Sequence, residues 1–140
     1  MVSTDAYRQF VTARAGGACE YCRLIESACG VTFHIEHIVP MCQEGETVMS
    51  NLALSCPGCN LAKAGRTVGQ DHQGKQTPIF NPRGFEPSQL GWHLHFELDR
   101  ETGVIAARSS VGEATLGILN MNASNRVFAR KLQILAGLIS

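Results

Sequence analysis

Two Cys-x-x-Cys pairs, Cys19 with Cys22 and Cys56 with Cys59, constrain this chain more than any other feature. Two residues between thiolates let both sulfurs face one cation from a tight turn, and Pro57 and Gly58 supply turn chemistry in the second pair. Two such pairs complete the closed four-sulfur shell of a structural zinc ion. The 33 residues between Cys22 and Cys56 must then form a folded unit whose ends meet at the metal. Two redox motifs would share the spacing, but a redox motif needs no second copy. Cys29 and Cys42 lie outside the pairs and read as small buried apolar residues.

At 140 residues, 44% hydrophobic and 17% charged, the chain reads as one globular domain over residues 1–140. Its apolar runs fall short of the roughly 18 residues a membrane span needs, so no membrane partner is expected. The N-terminus carries Asp5, Arg8 and Arg14 with no apolar segment. A secretory signal is therefore not expected, and the setting reads as cytoplasmic, where thiols stay reduced for metal binding. A net charge of zero argues against nucleic acid as a partner. The distribution is uneven, however. Residues 51–85 hold Lys63, Arg66, Lys75 and Arg83 against Asp71 alone. A local positive patch is expected there, and phosphate responds to local charge.

Residues 4–15 predict a helix capped by Ser3 or Thr4, with Tyr7, Phe10 and Val11 at helical spacing and Gly16-Gly17 ending it. Residues 31–39 are rich in β-branched side chains and predict a strand closed by Pro40. Residues 41–50 reverse the chain, and 51–55 return as a short strand into the second cysteine pair. A helix is expected over 60–65, with Asn60 and Lys63 one turn apart on one face. Residues 66–91 read as an irregular arm in which His72 is a solvated loop residue. Residues 92–98 predict a strand that pairs across Asp99–Gly103 with 104–107. Helices follow over 113–119 and, capped by Ser124, over 125–138. On the last helix Phe128, Leu132, Leu135 and Ile139 mark the packed face, and Arg126, Arg130 and Lys131 the solvated one. Trp92 and Phe128 are expected in the core, with residues 92–140 acting as a support.

The central stretch carries the chemistry. Phosphodiester hydrolysis needs charge stabilisation on the phosphorane and leaving oxygen, which a divalent cation supplies, and a base to activate water. Imidazole, with an ordinary pKa of about 6.5, suits the second task. Glu36 is a hard oxygen ligand of the kind Mg²⁺ or Mn²⁺ prefers, and Asn60 adds a neutral carbonyl oxygen. His37 is the candidate base. Asn51 can accept a hydrogen bond from one of its ring nitrogens and leave the other free. Each residue alone is a weak signal, and the set bracketed by a thiolate clip is a strong one.

Glu36-His37-Ile38-Val39-Pro40, then Asn51-Leu52, then Cys56-x-x-Cys59-Asn60-x-x-Lys63 resembles the HNH endonuclease family, over residues 19–66. The resemblance implies a ββα-metal (His-Me finger) core in an α+β fold, stapled by the zinc of Cys19, Cys22, Cys56 and Cys59. An N-terminal helix and a C-terminal β-hairpin with helices flank it. It implies His37 as general base, Asn51 as its orienting residue, and Glu36 with Asn60 as ligands of the catalytic ion, an H-N-N variant. Some members carry a further His four residues after the third position. Ala64 stands there, which points to oxygen ligation and so to Mg²⁺ or Mn²⁺. Asn81-Pro82-Arg83, Trp92, His95-Phe96, Ala114-Thr115, Leu119-Asn120 and Arg130 resemble the C-terminal part of small bacterial HNH proteins.

The expected activity is metal-dependent endonucleolytic hydrolysis of nucleic acid, with DNA as the family default. Lys63 and Arg66 are candidate phosphate contacts. His34, on the Glu36 face of the strand, is either a phosphate contact or a packed or solvated residue. The rival reading is a zinc-stabilised module that binds nucleic acid or protein without catalysis. Strict alternation sends Glu36 and His37 to opposite faces, so a bulge or twist at the strand end is expected if both reach one phosphate. Nothing in the sequence specifies the oligomeric state.

Overall fold

The computed structural model describes residues 3–140. Thr4–Tyr7 form a 3-10 turn that Ser3 Oγ caps by accepting from Asp5 N at 3.2 Å, and α1 (Arg8–Arg14) continues it. Val11 is the buried residue of α1, whereas Phe10 faces solvent. Arg14 holds the helix to the centre by donating to the carbonyls of Met49 (2.8 Å) and Leu52 (2.6 Å).

The centre is a hairpin and a helix. Strands β1 (His34–His37) and β2 (Leu52–Ser55) pair antiparallel, His34 with Ser55 through to His37 with Leu52. β1 is shorter than the expected 31–39. Its pairing runs without a bulge through His37, so the expected bulge is absent and Glu36 and His37 do take opposite faces. The connecting loop closes tightly at Gly45, whose N donates to Pro40 O at 3.0 Å. A Cβ there would lie 1.7 Å from Val39 O, so only glycine fits. Helix α2 (Pro57–Lys63) starts earlier than the expected residue 60, because Cys56 acts as its N-cap and Pro57 occupies its first turn. It ends on Ala64 in the left-handed conformation.

The arm after α2 is not irregular. Strands β3 (Val68–Gln70) and β4 (Gln76–Pro78) form a hairpin. Asp71 Oδ1 organises its turn by accepting from the amides of Gln73 and Lys75, both at 2.9 Å. Gly69 brings this hairpin onto a later helix: a Cβ there would meet Ala114 O at 2.9 Å. The predicted strand over 92–98 is mostly helix. α3 (Ser88–His95) contains Trp92, and only β5 (Phe96–Leu98) is extended, pairing with β6 (Ile105–Ala107) across the expected turn. Helix α4 (Ser110–Leu119) is capped by Ser109, whose Oγ accepts from Gly112 N at 3.0 Å. Helix α5 (Ser124–Leu135) begins after Ala123 with no side-chain cap, so Ser124 is its first residue and not its cap. Among the described residues no helix is long and apolar enough to cross a membrane.

The core joins α1, both cysteine pairs, the central hairpin and the C-terminal elements through Val11, Tyr21, Phe33, Leu52, Leu54, Phe80, Trp92, Phe96 and Met121. The tail is attached to the first cysteine pair residue by residue. Trp92 Nε1 donates to Tyr21 O at 2.7 Å, and Arg130 Nη1 to Cys22 O at 3.5 Å. Glu20, 1% exposed, accepts from Leu54 N, Ser88 Oγ and Arg83 Nη2. A buried carboxylate saturated this way is tolerable, and removing one partner is not. Arg83 therefore belongs to the interior rather than to the expected positive patch.

Helix α5 departs from expectation, although Ile139 is buried and Lys131 exposed as expected. Arg126, Arg130 and Gln133 are buried, while Phe128, Leu132 and Leu135 face solvent. Cys42, expected inside, is exposed, and Cys29 is half-buried beside Gln133.

Candidate active site and metal centre

Cys19, Cys22, Cys56 and Cys59 are all buried, and their sulfurs lie within 4.8 Å of one another. A regular tetrahedron with metal–sulfur bonds of about 2.3 Å has edges of about 3.8 Å. The Cys22–Cys56 sulfur separation of 3.5 Å matches that edge, far beyond a disulfide bond. All four cysteines are free. The cluster thus has the size, donors and burial of a structural zinc site. Each pair also folds an amide onto its first sulfur: Cys22 N lies 3.5 Å from Cys19 Sγ, and Cys59 N 3.4 Å from Cys56 Sγ. Without a cation, burial pushes the Cys19 thiol up, and hydrogen bonds with its three neighbours push Cys59 up. A divalent ion reverses this by holding thiolates directly.

Four thiolates on one Zn²⁺ leave two negative charges in the interior. Arg126 meets them: its Nη1 is 3.0 Å from Cys59 Sγ, and its Nη2 donates to the carbonyls of Leu119 and Asn120 at the end of α4. Burial alone would lower its pKa, but Cys59, Cys22, Cys56 and Cys19 outweigh burial and raise it. Arg130, fully buried, donates from Nε to Gly103 O at 2.7 Å. Sequence reading placed both arginines in solvent. Their i, i+4 spacing was visible, but nothing local said that this face covers a thiolate cluster.

At the end of β1, His37 is partly buried and its Nε2 lies 2.8 Å from Thr47 Oγ1. The sequence reading missed Thr47. Asn51, expected on the strand and against the imidazole, sits just before β2 and does neither. Its Oδ1 accepts from Val39 N at 2.9 Å, and its Nδ2 donates to Val39 O (3.0 Å) and Glu46 O (2.9 Å). It clamps the loop that carries Thr47, and so acts on His37 at one remove.

On the other face, Glu36 is 8% exposed. Its Oε1 accepts from Tyr21 OH, and its Oε2 is 3.6 Å from Lys63 Nζ. Burial pushes its pKa up to about 7, against the downward pull of Lys63 and Tyr21. Lys63 is 2% exposed and donates to Ile38 O (3.0 Å) and His37 O (3.4 Å). Three oxygens therefore face one ammonium. Lys63, expected at a substrate phosphate, is instead turned into this corner by α2. Arg66 remains at the surface, folded onto the carbonyls of Ala62 and Lys63, and His34 is exposed. Asn60 is half-buried, one turn before Lys63.

The family model described as HNH endonuclease matches residues 19–66. Residues 19–66 are thus similar to an HNH segment, over about a third of the chain. No curated protein and no solved structure matches the chain. The match begins at the first zinc-site cysteine and ends at Arg66, so it spans the clip, the hairpin, His37 and α2 and leaves out the tail. An HNH segment is a nuclease-family unit, and the α+β arrangement around the four cysteines is consistent with that fold. Among the described residues the four cysteines are the one cluster of three or more Cys, His, Asp or Glu ligand atoms. A second, catalytic ion would draw on Glu36 and Asn60 alone. Their oxygen donors are of the type Mg²⁺ or Mn²⁺ takes, and the Lys63 ammonium now occupies the Glu36 carboxylate.

Proposed function

We propose that the chain is an endonuclease that hydrolyses phosphodiester bonds in nucleic acid, with DNA as its substrate and the cytoplasm as its setting. The observation that carries this reading is His37 at the loop end of the central hairpin, hydrogen-bonded to Thr47, on a strand where it follows the buried carboxylate Glu36. In the tautomer whose Nε2–H donates to Thr47 Oγ1, the His37 lone pair lies on Nδ1 and would take the proton from water. Asn51 keeps the Thr47 loop closed over that ring.

A divalent cation at Glu36 and Asn60 would supply charge stabilisation at the scissile phosphate. With a cation there, Lys63, which now neutralises Glu36, would be the nearest ammonium to a phosphate oxygen. Arg66 and His34 are the surface groups that face nucleic acid in this reading. The zinc centre holds the hairpin to α2 and carries no chemistry.

One observation favours a second reading, a non-catalytic binding module: both oxygens of Glu36 are already engaged, by Tyr21 and Lys63. Incubating the zinc-loaded protein with supercoiled plasmid, with linear duplex and with single-stranded DNA and RNA, each with Mg²⁺ or Mn²⁺, separates the two. Nicking or cleavage supports the enzyme. Retention of nucleic acid with no cleavage under any of these conditions supports the module.

A further inference from the structure

Helix α5 exposes the face that a surface helix ordinarily hides. Phe128 is 62% exposed, Leu132 50%, Leu135 74%, and Leu138 in the following turn 47%. The opposite face is held fast. Arg126 is bonded to Cys59 Sγ, Arg130 to Gly103 O, and Gln133 to both the amide and the carbonyl of Ile25. Rotating the helix to hide the leucines would expel two arginines from the thiolate cluster, so the stripe is fixed outward.

The spacing of the stripe is four residues and then three, 128 to 132 to 135, so the three side chains share one face of the helix. Lys131 is its single charge, and α5 contains no acidic residue. We infer that this stripe is a self-association surface, on which α5 of a second copy of the chain packs. Three observations favour a copy over a different partner. A copy offers the same spacing and the same lack of charge, so the stripe is its own complement. There is no charge pattern on it by which a distinct partner could be selected. The chain as a whole has zero net charge, so two copies approach without long-range repulsion.

The area agrees. The four side chains leave on the order of 400 Å² of apolar surface open, the size of patch that on monomers marks an interaction site. Paired across a two-fold axis they remove about 800 Å² from water. The flanking Ser124, Asn125, Lys131 and Ala136 bring the total toward the roughly 1,200 Å² at which specific interfaces begin. That is the low end of specific interfaces, the size of a reversible contact and not of an obligate one.

Sedimentation velocity on the zinc-loaded full chain from about 2 to 200 µM tests the inference. Wild type should pass from monomer to dimer within that range. Leu132→Glu and, separately, Leu135→Asn should stay monomeric, at least about 100-fold weaker in association for the charged variant. Both positions are half or more exposed, so zinc content and unfolding midpoint should match the wild-type monomer. Lys131→Gln, on the rim, should dimerise like wild type. A wild type that is monomeric at 200 µM overturns the inference, and so does a dimer that Leu132→Glu and Leu135→Asn leave intact.

Discussion

Replacing Lys63 by Met removes the one cation from a corner built of three oxygens, Ile38 O at 3.0 Å, His37 O at 3.4 Å and Glu36 Oε2 at 3.6 Å. Methionine keeps the apolar stem and discards the charge. Two separable effects follow. The lost hydrogen bonds to the carbonyls should destabilise the fold by about 1–2 kcal/mol at any pH. The second effect depends on pH. Burial already holds the Glu36 pKa at about 7, above its ordinary 4.5, with Lys63 the largest influence pulling it down. A carboxylate whose folded pKa is raised stabilises the fold while it stays protonated, and that contribution is lost as pH rises through the folded value. Wild type therefore stops losing stability from this group a little above pH 7. In Lys63→Met the folded pKa moves higher, Glu36 keeps its proton, and the loss continues at about 1.4 kcal/mol per pH unit. The variant should trail wild type by about 1–2 kcal/mol at pH 6 and by about 3 kcal/mol at pH 8, a sizeable part of a typical total of about 5–15 kcal/mol. Urea unfolding of zinc-loaded protein at pH 6, 7 and 8, without added divalent ions, measures both. Adding Glu36→Gln should abolish the growth between pH 7 and 8. A deficit that does not widen over that interval, or that widens equally in the double variant, refutes the assignment of Lys63 as the counter-ion of Glu36.

Arg126→Met takes a donor from Cys59 Sγ and from the carbonyls of Leu119 and Asn120, and leaves the thiolate charge uncompensated. A loss of about 3–5 kcal/mol and faster zinc release to a chromophoric chelator are expected, and unchanged release would remove the charge-balancing role. Thr47→Val should lower the cleavage rate by about ten-fold or more with little change in KM or unfolding midpoint, since it frees the His37 ring without touching the core. Thr47→Ser should restore the rate, and a Val variant as active as wild type would show that the hydroxyl positions nothing.

The zinc clip, the hairpin and the order of strand, loop, strand and helix were legible because each rests on local signals, matched cysteine spacing and β-branched runs; the start of α2 at Pro57 was not, although Pro57 beside a capping cysteine marks it. What was not legible depends on which surface an element meets. Helix α5 is amphipathic, and an apolar core would have buried Phe128 and Leu132. It meets a thiolate cluster instead, so Arg126 and Arg130 go inward. Lys63 looked like a phosphate contact because lysines are ordinarily solvated, yet α2 carries it over a buried carboxylate one strand away. Trp92 was read in a strand from alternation over too short a run, whereas its helix is set by tertiary contacts such as the bond from its Nε1 to Tyr21 O. Thr47 meets the His37 ring in place of Asn51 because the loop after β1 folds back at Gly45, a closure that residue types alone do not disclose.

Cleavage by His37→Ala compared with wild type tests the central claim most directly. Supercoiled plasmid with Mg²⁺ or Mn²⁺ is the substrate, and zinc content and urea unfolding are measured on the same preparations. His37 is partly buried, and among the described residues its side chain is hydrogen-bonded to Thr47 alone, so the variant should keep its zinc and its stability. Its cleavage rate should fall by roughly 10²–10⁴-fold, the contribution of a positioned general base. A His37→Ala protein that retains zinc, folds like wild type and cleaves at the wild-type rate would contradict the account.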